Sequence, residues 1–122
     1  MAKSSGGTRG SNMANGSKME LTGKNYYGAD LRGKDYSQAN LRKANLASAN
    51  LGGVDLDEAD LFGANLQGAN LRGADLRGAD LRNVDLRNAY LESANLDGAK
   101  LDGAKLDGAK LDGAKLPKGF KI

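Results

Sequence analysis

The sequence contains no cysteine, histidine or tryptophan and only one proline in 122 residues. The absence of cysteine and histidine excludes disulfide scaffolds, Cys/His zinc sites and acid–base catalysis by histidine. No apolar run approaches the roughly 20 residues that a helix needs to cross a bilayer, so we predict no membrane-spanning segment. The N-terminal residues also lack the apolar core of a secretory signal, so we expect a single soluble domain in the cytoplasm.

Residues 1–18 differ in composition from the rest of the chain. They are rich in Gly, Ser and Asn and contain Lys3, Arg9 and Lys18 but no acidic residue, so they account for the whole formal charge of +3. Residues 19–122 are therefore neutral, which argues against a nucleic-acid-binding surface on that part. We predict a flexible basic tail over 1–18, either a disordered leader or a weak polyanion-binding arm.

A period of five residues runs through the rest of the chain. With leucine written in the centre, the units extend from residue 19 to residue 118, as in ADLRGADLRGADLRNVDL. Alanine usually stands two positions before the centre, Asp or Asn one position before it, and Gly two positions after it. In an α-helix, successive leucines would lie about 140° apart and form no apolar face. In one long strand they would alternate between the two faces, so neither regular element explains the period.

A chain that turns after each unit resolves this difficulty. Alanine and leucine are two residues apart, so both side chains point the same way in a short extended segment. If the chain bends near each glycine, both face inward, and successive coils can stack at a strand spacing of about 4.8 Å. The pattern therefore predicts a β-solenoid with a core of stacked leucines and alanines.

Runs such as ANLQGANLRGADL resemble the pentapeptide-repeat family, whose pattern is a small residue, Asp or Asn, Leu or Phe, a polar residue and a variable one. The resemblance covers residues 19–118. It implies an all-β fold, a right-handed quadrilateral parallel β-helix of about five coils with four pentapeptides per coil. We therefore expect a solenoid over 19–118 followed by a C-terminal cap over 119–122, with residues twenty apart as vertical neighbours.

This register predicts ion pairs between coils. Each of four arginines in one coil has an acid twenty residues later; the pairs are Arg72 with Glu92, Arg77 with Asp97, Arg82 with Asp102 and Arg87 with Asp107. Because the four arginines face four different sides, they cannot converge on one phosphate. The acids are separated in the same way, whereas calcium needs about 6 to 8 oxygens around one ion. We predict no metal, no cofactor, no small-molecule substrate and no catalytic residue.

Outward-pointing aromatic residues are the candidates for recognition. Phe62 is expected to lie between Arg42 below and Arg82 above, a geometry that allows cation–π contacts. It is either an isolated apolar side chain on the surface or the centre of a contact patch, since aromatic and arginine residues dominate binding hot spots. We include Tyr90, a second outward aromatic, in this candidate interaction surface.

The two ends of a solenoid are open sheet edges and need covers. Tyr26 and Tyr36 are bulkier than the repeat requires, and we predict that they close the first coil. Phe120 and Ile122 are expected to fold over the last leucines as a C-terminal cap. Alternatively, they bury against a second copy, so we expect a monomer or an end-to-end homodimer.

These features predict a non-catalytic scaffold or protein–protein interaction module whose protein partner the sequence does not identify. The resemblance implies one alternative, because some pentapeptide-repeat proteins mimic DNA and bind type II topoisomerases such as gyrase. A DNA mimic should be strongly acidic, and residues 19–122 are neutral. A third possibility, nucleic-acid binding by the tail, would show a steep dependence on salt.

Overall fold

Residues 19–121 are described by a computed structural model. They form a solenoid in which a two-residue turn follows each short extended segment. Within that range there is no α-helix and no strand longer than a single bridge residue, and no helix could cross a membrane. Sixteen parallel bridges join residues twenty positions apart, from Glu20 with Asn40 to Asn95 with Lys115. Four pentapeptides thus complete each coil, and the predicted right-handed quadrilateral β-helix is confirmed. The predicted tail over 1–18 and Ile122 lie outside the described residues.

Coils 1 to 5 comprise residues 19–38, 39–58, 59–78, 79–98 and 99–118, and the four pentapeptides of a coil are its first to fourth sides. Hydrogen bonds between coils hold the stack together. Leu61 N donates to Asp80 O in the coil above at 2.9 Å, and Gly63 N donates to Arg82 O at 3.0 Å. Asp60 N donates downward to the Ala39 carbonyl at 2.9 Å. The backbone of coils 2 to 4 is thus paired on both edges, and that of coils 1 and 5 on one edge among the described residues.

Each side ends in a turn at the two residues after its central leucine. The Leu61 carbonyl accepts a hydrogen bond from Ala64 N at 2.9 Å, which closes the corner. The second turn residue has a positive φ, as at Gly63 (70°), and seven non-glycine residues adopt it too, among them Lys43 (62°) and Asn83 (60°). This conformation costs a residue with a Cβ about 1–2 kcal/mol. The coil imposes the turn even where the local residue opposes it.

The Asp or Asn before each centre stabilises the corner that follows. Oδ1 of Asn65 accepts a hydrogen bond from the Gln67 backbone N–H at 3.0 Å, and the same contact recurs at many sides. Such side chains bond their own backbone two residues on and so favour turns. The four lysines at this position in coil 5 have no acceptor to offer, so that coil lacks these contacts.

The core is a column of leucines and alanines along the axis. Twelve leucines from Leu41 to Leu96 are almost completely buried, for example Leu66 with 1% of its surface exposed. Val54 and Val84 occupy two of the alanine positions and are also fully buried. Burying one leucine side chain contributes about 1.5–3 kcal/mol, so the interior accounts for most of the stabilisation.

The two ends of the coil are less completely covered. At the lower end, Tyr26 and Tyr36 are partly buried against the core, and burial raises the pKa of the Tyr36 hydroxyl. At the upper end, the turn after Leu116 begins one residue later than in the other repeats. Phe120 N therefore donates to Pro117 O, at 3.1 Å. Phe120 then packs against the core next to Leu101. The other described leucines of coil 5 stay partly exposed.

Candidate interaction surface

Phe62 projects from the first turn position of the first side of coil 3, and cations lie close to its ring. The Arg42 guanidinium carbon lies 4.6 Å from the ring centroid, and that of Arg82 lies 5.2 Å away. Lys43 Nζ is 5.8 Å from the same centroid. The twenty-residue register produces this arrangement because it places residues 42, 62 and 82 in one vertical column. Phe62 is partly buried beneath these cations and does not stand free of them.

Both arginines of this group are also anchored to carboxylates. Nε and Nη2 of Arg82 donate to the two oxygens of Asp80 at 2.8 and 2.7 Å. Arg42 Nη1 donates to Oδ2 of Asp60 at 2.9 Å. The hydrogen bonds between Arg82 and Asp80 lower the pKa of the Asp80 carboxyl and raise the pKa of Arg82, so both groups stay charged near neutral pH. We call Arg42, Phe62 and Arg82 the Phe62 cluster.

Tyr90 belongs to a different cluster on another side of the coil. The Arg72 guanidinium carbon lies 4.4 Å from its ring centroid, and Lys110 Nζ lies 5.5 Å from it. Tyr90 is on the third side, eight positions further round the twenty-residue coil than Phe62. The structure therefore does not bring Tyr90 together with the Phe62 cluster as one surface. It does give Lys110, which departs from the repeat pattern, a favourable aromatic contact.

Three of the four predicted ion pairs between coils are not direct contacts, although Asp102 and Asp107 still raise the pKa of Arg82 and Arg87. Arg72 contacts Glu92, with Nε 3.3 Å from Oε1, although the geometry is not that of a hydrogen bond. The others bind the aspartate two residues earlier in their own coil, in the pairs Arg77 with Asp75, Arg82 with Asp80 and Arg87 with Asp85. Bidentate hydrogen bonds are stronger and more specific than single contacts. An adjacent aspartate therefore takes the arginine in preference to an acid in the next coil.

A simple signal in the sequence distinguishes the two outcomes. Where the residue two positions before the arginine is aspartate, the pair forms within the coil, as at Asp30 and Arg32, and the pKa of Asp30 falls to about 2. Where that residue is asparagine, as at Asn70 before Arg72, the arginine turns to an acid in the next coil. Arg42 follows the same rule, because Asn40 precedes it. Its partner Asp60 also accepts a hydrogen bond from the Phe62 backbone N–H at 3.1 Å.

The fourth side carries a column of stacked carboxylates. Bridges join Asp35 to Asp55 and Asp55 to Asp75, and Asp57 lies on the same side. Burial raises the pKa of Asp55, and the neighbouring negative charges raise it further. Among residues 19–121 no group of acidic side chains is arranged to hold a metal ion. Repulsion between these carboxylates therefore destabilises the folded state at this side of the coil.

One aromatic side chain is fully outward. Tyr27, on the second side of coil 1, is 66% exposed and is the only large apolar side chain so exposed among the described residues. No described cation covers its ring. It offers an aromatic surface without the arginines that accompany Phe62.

Comparison with known proteins shows which fold and sequence family these features match. A family model described as "Pentapeptide repeats" matches residues 25–57, 39–78 and 79–116, with eight copies. A search of the curated proteins finds no match.

Several solved structures share the architecture. The pentapeptide repeat protein Rfr23 from the cyanobacterium Cyanothece 51142 is 35% identical with a TM-score of 0.72, over 75% of this chain and 62% of that one. A pentapeptide repeat protein from the thylakoid lumen of Arabidopsis thaliana is 37% identical with a TM-score of 0.54, over 79% and 63%. The chain thus spans less than two thirds of the length of either structure. QnrB1, a plasmid-mediated fluoroquinolone resistance protein, is 24% identical with a TM-score of 0.51, over 80% and 59%, and shares the fold.

Proposed function

This chain belongs to the pentapeptide-repeat family, and from that premise we propose that it is a non-catalytic interaction module that binds a protein partner through the Phe62 cluster. The single observation that carries the proposal is the aromatic ring held between two guanidinium groups. Aromatic and arginine residues supply most of the energy of binding hot spots. Elsewhere the surface is made largely of small, charged or amide side chains.

The cluster is organised before any partner arrives. Asp60 and Asp80 hold the two guanidinium groups in place, and Phe62 sits on a coil whose backbone is paired above and below. Binding then orders few side chains, and preorganisation of this kind lowers the entropic cost of association. The side chains of Arg42 and Arg82 remain 41% and 42% exposed, so their outer edges are accessible.

The partner is expected to present carboxylates beside an apolar group. Arg42 uses only Nη1 on Asp60, and within residues 19–121 its other N–H groups have no acceptor. A guanidinium group has five N–H donors in a planar fork, which suits a carboxylate or phosphate. Phe62 offers an apolar edge between the two cations. An acidic patch around an exposed apolar side chain on a protein has the complementary chemistry.

The alternative, a DNA mimic that binds a type II topoisomerase, is not favoured by the charges. Residues 19–122 carry equal numbers of basic and acidic side chains. The acidic column on the fourth side is short and is flanked by Arg77. Such a mimic needs an extended negative surface. The cytoplasmic location also stays a prediction, and one similar structure comes from the thylakoid lumen.

Affinity capture from a lysate of the source organism, followed by titration calorimetry with the purified partner, tests the proposal. We expect Phe62→Ala to weaken binding at least about tenfold, as truncation of a hot-spot residue does. Arg42→Gln should have a smaller effect in the same direction.

Tyr27→Ala is the matched control, because it removes an exposed aromatic ring from another side. It should leave binding unchanged. All variants should keep the circular dichroism spectrum of the wild type, since neither ring forms part of the leucine core. Equal binding by wild type and Phe62→Ala would refute the Phe62 cluster as the contact. Capture of topoisomerase subunits, insensitive to Phe62, would favour the alternative.

A further inference from the structure

The repeat position before the central residue carries opposite charges at the two ends of the solenoid. In coil 5 the position before each central leucine is lysine on all four sides, and each of these side chains is exposed; they are Lys100, Lys105, Lys110 and Lys115. In coil 1 the same position is acidic on three sides and an amide on one; these residues are Glu20, Asn25, Asp30 and Asp35. At this repeat position a basic ring therefore surrounds the upper end and an acidic ring surrounds the lower end, although coil 5 also carries Asp102, Asp107 and Asp112 and coil 1 also carries Lys24, Arg32 and Lys34.

The backbone edges of the two ends are also complementary. In coils 1 to 4, each central N–H donates to a carbonyl of the coil above, as Leu61 N does to Asp80 O. The corresponding N–H groups of Leu106 and Leu111 have no backbone acceptor among residues 19–121. In coil 1, the carbonyls of Asn25 and Asp30 receive no backbone donor within the same range. The upper edge thus presents donors where the lower edge presents acceptors.

Apolar side chains are partly exposed at both ends. Leu106, Leu111 and Leu116 pack on the core but keep part of their surface open to solvent. At the lower end, Tyr26 and Leu21 are in the same state. Stacking one end on the other would bury the central residues of coil 1, leucine on two sides and tyrosine on two, against the leucines of coil 5.

We propose that a second copy of this chain docks head to tail, so that its coil 1 stacks on coil 5 of the first copy. In the register that continues the twenty-residue period, Lys110 and Lys115 would lie under Asp30 and Asp35 of the second copy, and Lys105 under its Asn25. Phe120 covers the first side of coil 5, so the contact involves the other three sides. Head-to-head stacking would instead place four lysines against four lysines. This inference does not depend on the Phe62 cluster.

A head-to-tail contact uses two different surfaces and does not close on itself. Each added copy exposes a fresh upper end, so assembly continues as an open series instead of stopping at a dimer. Strand addition of this kind takes its affinity from main-chain hydrogen bonds and its specificity from side chains. The charged rings therefore set the direction of stacking.

Sedimentation velocity of the 122-residue chain over a wide concentration range tests the proposal. The mean sedimentation coefficient should rise with concentration without a plateau at the dimer. Raising the salt concentration from about 0.05 M to about 0.5 M should weaken association by roughly tenfold, because the rings are exposed to solvent.

Two ring variants give the decisive comparison. The upper variant carries Lys110→Glu and Lys115→Glu, and the lower variant carries Glu20→Lys and Asp30→Lys. Lysine already occupies this position of the repeat four times, so the fold accepts it, and circular dichroism checks both variants. Each variant alone should stay monomeric. An equal mixture should associate more strongly than either variant alone, since the unchanged lysine ring of one fits the unchanged acidic ring of the other.

Three results would overturn the proposal. Wild-type protein that stays monomeric at about 1 mM would show that the ends do not bind each other, since a contact that weak has little biological use. Continued self-association of the lower variant would indicate that two upper ends meet. Continued self-association of the upper variant would indicate that two lower ends meet.

Discussion

Replacing Asp55 by asparagine should stabilise the protein at neutral pH. Asp55 lies in the carboxylate column between Asp35 and Asp75, and burial together with these charges raises its pKa. A raised pKa means that folding favours the protonated form, so the ionised carboxylate begins to oppose folding as the pH rises through the unfolded pKa, and its cost is complete above the folded pKa. Asparagine keeps the Oδ1 acceptor that receives the Asp57 N–H at 3.0 Å. The substitution therefore removes the charge and retains the corner.

The magnitude follows from the number of neighbouring charges. Directly opposed like charges on adjacent strands cost about 0.2–1 kcal/mol per pair, and Asp55 has two such neighbours. Because Arg77 partly compensates Asp75, we expect a gain of roughly 0.5–1.5 kcal/mol, or a rise of about 2–10 °C in Tm for a domain of this size. Below the unfolded pKa of about 3.9 both states are protonated, and the gain should vanish.

Asp85→Asn is the matched control, since Asp85 occupies the same repeat position and accepts the same type of backbone hydrogen bond. Arg87 lowers its pKa through side-chain hydrogen bonds, so its carboxylate stabilises the folded state above the unfolded pKa, and that contribution is lost as the pH falls. Asp85→Asn should therefore destabilise at pH 7. Thermal melts of both variants between pH 2.5 and 7 provide the measurement. A destabilised Asp55→Asn at pH 7, or a gain that persists at pH 2.5, would refute the reasoning.

Three further predictions concern the corners, the ion pairs and the core. Gly103→Ala should destabilise more than Gly73→Ala, because both have a positive φ but only the added Cβ at Gly103 meets the side-chain oxygen of an asparagine in the coil below; equal melting temperatures would contradict this. A double-mutant cycle on Arg72 and Glu92 should give a coupling of about 0.2–1 kcal/mol, and strict additivity would show that the 3.3 Å contact has no energetic weight. Leu66→Ala should cost about 2–5 kcal/mol in urea unfolding, and a loss below about 1 kcal/mol would mean that the coils collapse around the cavity.

The architecture was largely predictable from the repeat, but the ion pairs were not. Leucine every five residues with alanine two places before it allows one inward-facing register, so the buried residues follow from spacing alone. The twenty-residue coil came from the family resemblance, because periodicity does not say how many corners close a turn. The cation–π contacts of Phe62 follow from that coil length. The partner of Arg82 does not follow from coil length, and the rule that an aspartate two residues earlier takes the arginine emerges only from the observed pairs.

The sequence by itself determined which side chains are inside, because a five-residue period with turns leaves the leucines only one way to avoid water. Only the tertiary structure decided how the outer side chains pair. In the structure, Asp80 presents both oxygens to Arg82 at 2.7–2.8 Å, while Asp102 lies one coil higher. The structure also places Tyr90 and Phe62 on different sides, because they are eight positions apart in the twenty-residue coil. Burial is set by a pattern that repeats, whereas the choice between two nearby acids depends on side-chain geometry in the folded coil.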